Sequence, residues 1–200
     1  MDHQKVFATN IFVLDDFLTE SVHTEIKKYI ELLWNERSYD DNWQTDPDLH
    51  TKPAFKPFVD LILNTNREIL KTLDYEVEDI VIPDMWANVL RPGETHPPHT
   101  HSNNFLSGVY YVYSDKDAGI TFSDPRPASD VLVPRKTKKT HSNSNLLSYK
   151  SQANRAIIFP SWLQHWVPVN KSTRKRTSIS WNIQLKGQVG EHNEYQSANF

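Results

Sequence analysis

The 200-residue sequence contains no cysteine. That excludes disulfides, thiolate catalysis, cysteine-ligated zinc and iron–sulfur clusters. Any metal must sit on His, Asp, Glu or backbone oxygen. Lack of disulfide chemistry is compatible with a reducing compartment. No apolar run approaches the ~18 residues of a membrane span. Met1-Asp2-His3-Gln4 is polar and leads no signal-peptide core. A charge excess is missing too: the formal net charge is −3, so no global field draws the chain to nucleic acid or an anionic membrane. The expectation is a soluble cytoplasmic protein.

Aromatics, by contrast, are plentiful at 12% of residues, enough to build a core of large contact areas. The length suits one domain spanning 1–200, which buries about 70% of its unfolded surface without staples. Residues 6 to 14 read as a first strand. Val22, Ile26, Tyr29, Ile30 and Leu33 keep helical spacing and predict a helix over 19 to 36, with Arg37 at its end. Residues 38 to 53 read as a polar loop. A second helix fits 54 to 73, with Phe58, Leu61, Ile62, Ile69 and Leu73 on one side and Pro57 in its first turn.

From about residue 78 short β runs take over: 84–91, 105–113, 119–122, 131–133, 146–149, 155–159, 165–169 and 175–185. Helices followed by many short strands predict an α+β, mainly β protein. Residues 1–77 would supply a strand and buttressing helices, 78–187 a sandwich or jelly-roll core, and 188–200 a fraying tail. The loop around 135–145, basic at 135–139, reads as a solvated surface loop.

The densest chemistry is His96-Pro97-Pro98-His99-Thr100-His101. On a strand, residues i and i+2 point the same way. His99 and His101 can then bind one metal, with His165 arriving from another strand. Two close ligands and one remote ligand define one face of an octahedron and leave positions open, as in non-haem Fe(II) sites. A closed structural zinc site needs a fourth ligand, His96 or Asp124, and the stiff Pro97-Pro98 spacer makes His96 awkward. His96 therefore reads as a neighbour of the metal rather than a ligand. His3, His23, His50, His141 and His192 lack partners and read as surface residues.

Residues 175 to 185 alternate: Arg176, Ser178, Ser180 and Asn182 on one face, Thr177, Ile179, Trp181 and Ile183 on the other. A polar row usually faces solvent. A hairpin from His165 could instead bring Arg176 into the metal cavity, where its guanidinium would clamp a carboxylate with Ser178 assisting. Arg174 is a rival of the same parity.

Arg91-Pro92-Gly93, His99-Thr100-His101, Ser107-Gly108-Val109-Tyr110-Tyr111-Val112, Phe159-Pro160-Ser161-Trp162-Leu163, His165 and Arg176-Thr177-Ser178 together resemble the Fe(II)/2-oxoglutarate-dependent oxygenase superfamily, over roughly residues 84 to 185. The similarity is greatest to a branch found in bacteria and bacteriophages. The resemblance implies a double-stranded β-helix, a jelly-roll or cupin-like barrel. It implies His99, His101 and His165 as Fe(II) ligands, and Arg176 and Ser178 on the distal carboxylate of 2-oxoglutarate. Tyr111 falls where the prolyl-hydroxylase branch places a tyrosine on that carboxylate, and Asn88 resembles a co-substrate asparagine. Most of the superfamily has Asp or Glu at the position of His101. Three neutral ligands leave the centre one unit more positive, and metal should be lost below about pH 6.5.

The implied activity couples oxidative decarboxylation of 2-oxoglutarate to hydroxylation of a C–H bond. The expected substrate is a small molecule or peptide, met in a host cytoplasm if the source is viral. Nucleic acid and membrane are not expected partners, and a homodimer is compatible. Two other readings stand beside it: a cupin-type three-His dioxygenase without 2-oxoglutarate, and a non-catalytic metal-binding β-barrel, virion-associated or otherwise. Trp162, Trp166, Tyr113 and the basic loop are candidates for the mouth.

Overall fold

The structure, a computed structural model, describes residues 1–2, 4–36, 43–114, 119–191, 195 and 197–200. The first strand is shorter than expected: β1 is Phe12–Leu14, while Val6 and Phe7 lie exposed outside it and Phe7 has a φ of 55°. The amphipathic stripe builds α1 (Glu20–Glu36), which buries Ile26 and Ile30. Arg37 and residues 38–42 lie outside the described residues. The rest of the expected loop is ordered by apolar contacts: β2 (Trp43–Gln44) is followed by two short 3₁₀ turns that bury Leu49 and Phe55. In α2 (Lys56–Thr72) Pro57 occupies the first turn, where a missing N–H removes no helical bond. Its Phe58, Ile62, Ile69 and Leu70 form the buried face.

The strands that follow are β3 (Asp79–Val81), β4 (Met85–Leu90), β5 (His96–His99), β6 (Leu106–Tyr113), β7 (Ile120–Ser123), β8 (Leu146–Tyr149), β9 (Ala156–Pro160), β10 (His165–Val167), β11 (Arg176–Lys186), β12 (Gln188–Val189) and β13 (Ala198–Asn199). They form a major sheet in the order β1-β9-β6-β11-β4-β2, with β3 pairing β11, and a minor sheet in the order β5-β10-β7-β8. All pairings between these strands are antiparallel. Two facing antiparallel sheets with helices outside are the double-stranded β-helix that the sequence led us to expect.

The two faces of the major sheet have different partners. Tyr110, Val112, Ile179, Trp181 and Ile183 pack toward the helices, with Phe58 ring centroids 5.0 Å from Tyr110 and 5.8 Å from Trp181. Val109, Tyr111, Ile157 and Phe159 turn inward onto Ile120 and Phe122 of the minor sheet. Cover on both faces explains why β6 is buried along nearly all its length instead of alternating. Gly108 lies so close under Trp181 that a Cβ there would fall 2.1 Å from the indole.

Several expectations need correction. Val131, Leu132 and Val133 form no strand and stay exposed, because no neighbouring strand reaches them. The segment after 187 does not simply fray: β12 and β13 pair with one another. β5 lies outside the expected strand runs and ends at His99; it is an edge strand of the minor sheet, where prolines are tolerated. Finally, β10 and β11 do not pair as a hairpin. They lie in different sheets, and His165 meets Arg176 across the barrel interior.

Candidate metal centre

The three histidines reach one point by different routes. His99 ends β5 and is the direct cross-strand partner of His165 at the start of β10, with ring centroids 4.4 Å apart. His101 lies beyond the strand, not on it as the i, i+2 argument assumed. Its backbone N–H donates to the Ser161 carbonyl at 2.9 Å, which folds the chain so that its ring stands 5.2 Å from His99 and 5.1 Å from His165. One ligand atom from each histidine lies within 4.8 Å of the other two, a group that could hold a metal ion.

Each ring is held by its Nδ1. The partners are the Pro97 carbonyl for His99 (2.8 Å), Asn182 Oδ1 for His101 (2.5 Å) and the Leu163 carbonyl for His165 (2.8 Å). A carbonyl oxygen only accepts, so each Nδ1 carries the proton and each Nε2 keeps its lone pair for a metal. Asn182 is itself fixed: its Nδ2 donates to Asp84 Oδ1 at 2.6 Å, and Ser107 Oγ donates to its Oδ1 at 2.7 Å. Trp86 stacks on His101 at 5.8 Å, and Phe159 meets His165 edge-on at 4.7 Å. Apolar surroundings disfavour imidazolium. Burial pushes His165 down to about 3 and also lowers His101. His96, half-buried on β5, is pushed down to about 4, first by burial and then by the charge of Arg176. In the fold these rings are harder to protonate than free histidine.

A cavity of about 410 Å³ joins the histidines to Arg176, Ser178 and Asn88. The polar row of β11 faces this interior rather than solvent; Arg176 is 3% exposed and Ser178 1%. Arg176 Nη1 donates to Ser178 Oγ at 2.9 Å, and its guanidinium carbon lies 5.0 Å from the centroid of the Tyr111 ring. Burial raises the Tyr111 phenol, and the Arg176 charge partly offsets it. Asn88 sits opposite Ser178 in the β4–β11 register, and its buried Oδ1 has no hydrogen-bond partner. Tyr111 lies under Arg176 without lining the cavity.

Other sequence candidates fall elsewhere. Arg174 is exposed outside the cavity and donates to the Tyr113 hydroxyl at 2.6 Å. Trp162, Trp166 and Tyr113 do not line the histidine cavity; Trp86 and Phe159 do. His23 is half-buried, with Nδ1 2.5 Å from Tyr110 Oη, because it sits on the packed side of α1. His50 is also half-buried, in the first 3₁₀ turn. His141 is exposed as expected, and His3 and His192 lie outside the described residues. Sequence reasoning missed Asp84 and Trp86, which no motif marks. Asn182 carried a signal: it shares the strand parity of Arg176 and Ser178.

Residues 84–182, from just before β4 to the middle of β11, match the family model described as "Putative 2OG-Fe(II) oxygenase". The chain belongs to this oxygenase family. No curated protein matches it in sequence. Among solved structures, HygX from Streptomyces hygroscopicus with nickel and 2-oxoglutarate bound shares 10% identity, covering 88% of this chain and 83% of that one at a TM-score of 0.64. A Pseudomonas putida prolyl-4-hydroxylase shares 12% identity over 88% and 92% at 0.63. The epimerase SnoN from nogalamycin biosynthesis shares 8% over 88% and 78% at 0.67. At such identities the likeness speaks to fold. The family uses Fe(II) and 2-oxoglutarate, and the residues present fit both. Three anchored imidazoles offer a metal three neutral nitrogens. A buried guanidinium and the open Asn88 Oδ1 lie in the same cavity.

Proposed function

We propose that this oxygenase is a hydroxylating dioxygenase in which His99, His101 and His165 hold Fe(II), and Arg176 with Ser178 binds the distal carboxylate of 2-oxoglutarate. The observation that carries this reading is the shared cavity: three imidazoles with fixed tautomers at one side, a buried guanidinium at another. Fe(II) with 2-oxoglutarate supplies oxygen activation coupled to decarboxylation of the co-substrate. The chain's own residues bind and orient. Arg176 presents parallel N–H donors to a carboxylate, and burial strengthens that attraction. Ser178 holds the guanidinium in place at 2.9 Å. Tyr111 supports its other side, and Asn88 Oδ1 is an acceptor for a donor group entering the cavity. Phe159, Trp86 and Val167 supply apolar wall beside the charged groups, which lowers the local polarity there.

The branch shared with bacteriophages and a place in the cytoplasm belong to the same proposal, supported by the motif resemblance. The described helices include none long and apolar enough to cross a membrane. The test is succinate formation from 2-oxoglutarate by protein loaded with Fe(II) and ascorbate. Arg176→Ala separates this reading from a three-His dioxygenase that needs no co-substrate: it should abolish 2-oxoglutarate binding while leaving metal binding intact. Iron-loaded wild-type protein that neither binds nor consumes 2-oxoglutarate would refute the proposal.

A further inference from the structure

The longest irregular segment between the described strands, residues 124–145, starts two residues beyond the register partner of His165. It links β7 to β8, and β7 ends at the histidines: Phe122 is the register partner of His165, and the Ser123 N–H donates to the Gln164 carbonyl at 3.0 Å. The Asp124 N–H donates to the Asn145 carbonyl at 2.8 Å and closes the neck. The segment is folded on itself: Asn143 Oδ1 accepts from the Thr140 N–H at 2.8 Å, and its Nδ2 donates to the Lys138 carbonyl at 3.0 Å. Loops longer than about 12–15 residues are uncommon unless they serve a function or are disordered.

Its surface is basic. It carries five basic residues, Arg126, Arg135, Lys136, Lys138 and Lys139, against Asp124 and Asp130, on a protein whose net charge is −3. Arg126 closes an ion pair with Asp124 and leaves the 135–139 cluster as the positive edge. Beside it Val131, Leu132 and Val133 stand 80%, 86% and 58% exposed. Single exposed aliphatics are ordinary, but three in a row next to a charged rim mark a contact surface. A cavity of about 700 Å³ runs under the loop, bordered by Val133 and by Arg126, Lys136 and Lys139 against Asp124 and Asp130, of which Asp124 is neutralised by Arg126. Asn145 lines it too, and its buried Nδ2 has no hydrogen-bond partner.

We infer that residues 124–145 dock an acidic stretch of polypeptide carrying an aliphatic side chain, and present it to the metal centre as the substrate. The inference rests on the oxygenase reading for the word substrate, but not for the docking. Charge complementarity selects an acidic partner. The aliphatic run selects a side chain that can be desolvated against it. Asn145 Nδ2 supplies a donor for a main-chain carbonyl or a carboxylate. Single-stranded nucleic acid fits less well, because its sites rely on aromatic stacking and the segment 124–145 contains no Phe, Tyr or Trp, with His141 its single aromatic ring.

The test uses the full chain loaded with Ni(II) and 2-oxoglutarate, incubated with a random 12-residue peptide library and, separately, a random 12-nucleotide single-stranded DNA pool. Two variants accompany the wild type, Val131→Ser/Leu132→Ser/Val133→Ser and Lys136→Glu/Lys138→Glu/Lys139→Glu. Five of the six positions are exposed, and Lys136 is half-buried with its Nζ donating to Asn145 Oδ1 at 3.3 Å; Ni(II) and 2-oxoglutarate affinities report whether each variant keeps its fold, and where one does not, the other decides. The wild type should enrich peptides rich in Asp or Glu together with Leu, Ile or Val. Each folded variant should lose about tenfold or more of that capture. No enrichment, enrichment that survives the variants, or preferred capture of DNA overturns the inference. Peptide capture by a wild type that binds no 2-oxoglutarate would instead remove the co-substrate reading and leave the docking surface standing.

Discussion

His101 donates its Nδ1–H to Asn182 Oδ1 at 2.5 Å, and through that amide it is linked to Asp84. The linkage matters because it sets a carboxylate one amide away from a neutral candidate ligand. Asp84 lines the same cavity, so a negative charge sits one amide away from the third imidazole. Histidine ligands are oriented and made more basic by such partners. Asp84→Asn and Asn182→Ala should each weaken Fe(II) binding by about 10–100-fold while leaving a folded chain. Anaerobic Fe(II) titration followed by absorbance checks this, and unchanged affinity in both would disprove the linkage.

Arg176→Ala removes a buried charge whose fork faces the cavity. Truncating one member of a buried charged pair costs about 2–5 kcal/mol, so 2-oxoglutarate affinity should fall by roughly one and a half to three and a half orders of magnitude. Arg176→Lys keeps the charge but loses the parallel donors, and should recover only part of the loss. Calorimetric titration of 2-oxoglutarate into Ni(II)-loaded protein measures both. Ni(II) affinity itself should not change, because no imidazole is touched.

Acid should destabilise the metal-free protein in a defined window. His165 titrates near 6.5 when unfolded and is held down to about 3 by burial in the fold. Between these values the unfolded chain binds more protons, so stability rises with pH across the window. Its contribution is complete above about 6.5 and is lost as pH falls toward about 3. His96, held down to about 4, acts in the same direction. Urea midpoints measured between pH 4 and 8 should climb with pH, and His165→Gln should flatten the climb. Metal retention should correspondingly extend below the pH 6.5 expected from free imidazole.

Much of this was legible from residue pattern alone. The stripe of Ile26 and Ile30 gave α1 nearly to the residue, because one helical face meets one core. The β11 alternation separated Arg176 and Ser178 from Ile179 and Trp181 correctly, but not which face was wet. That depends on the minor sheet, formed by strands far away in sequence. β5 lay outside the expected runs, since local backbone preference cannot reveal that a strand with Pro97-Pro98 lies on an edge. Asp84 and Trp86 were invisible for the same reason: a long-range contact gives each its role at the site.

Gly108→Ala should be costly although it adds one methyl. The new Cβ would meet the Trp181 indole at 2.1 Å, and Trp181 is itself wedged against Phe58 of α2. Overpacking of this kind costs about 1–3 kcal/mol, which for a chain of this length lowers the melting temperature by roughly 2–4 °C per kcal/mol. Differential scanning calorimetry checks it; an unchanged midpoint would show that the α2 layer yields freely.

The route taken by the three histidines has a mechanical side. His99 and His165 belong to the minor sheet, whereas His101 is tied through Asn182 to β11 of the major sheet. An ion shared by all three rings would therefore add a tie between the two sheets to the side-chain packing and the chain crossings that already join them. β5 gains most from it, being an edge strand with two prolines and β10 as its single neighbour. Emptying the centre should loosen that edge before the rest of the minor sheet.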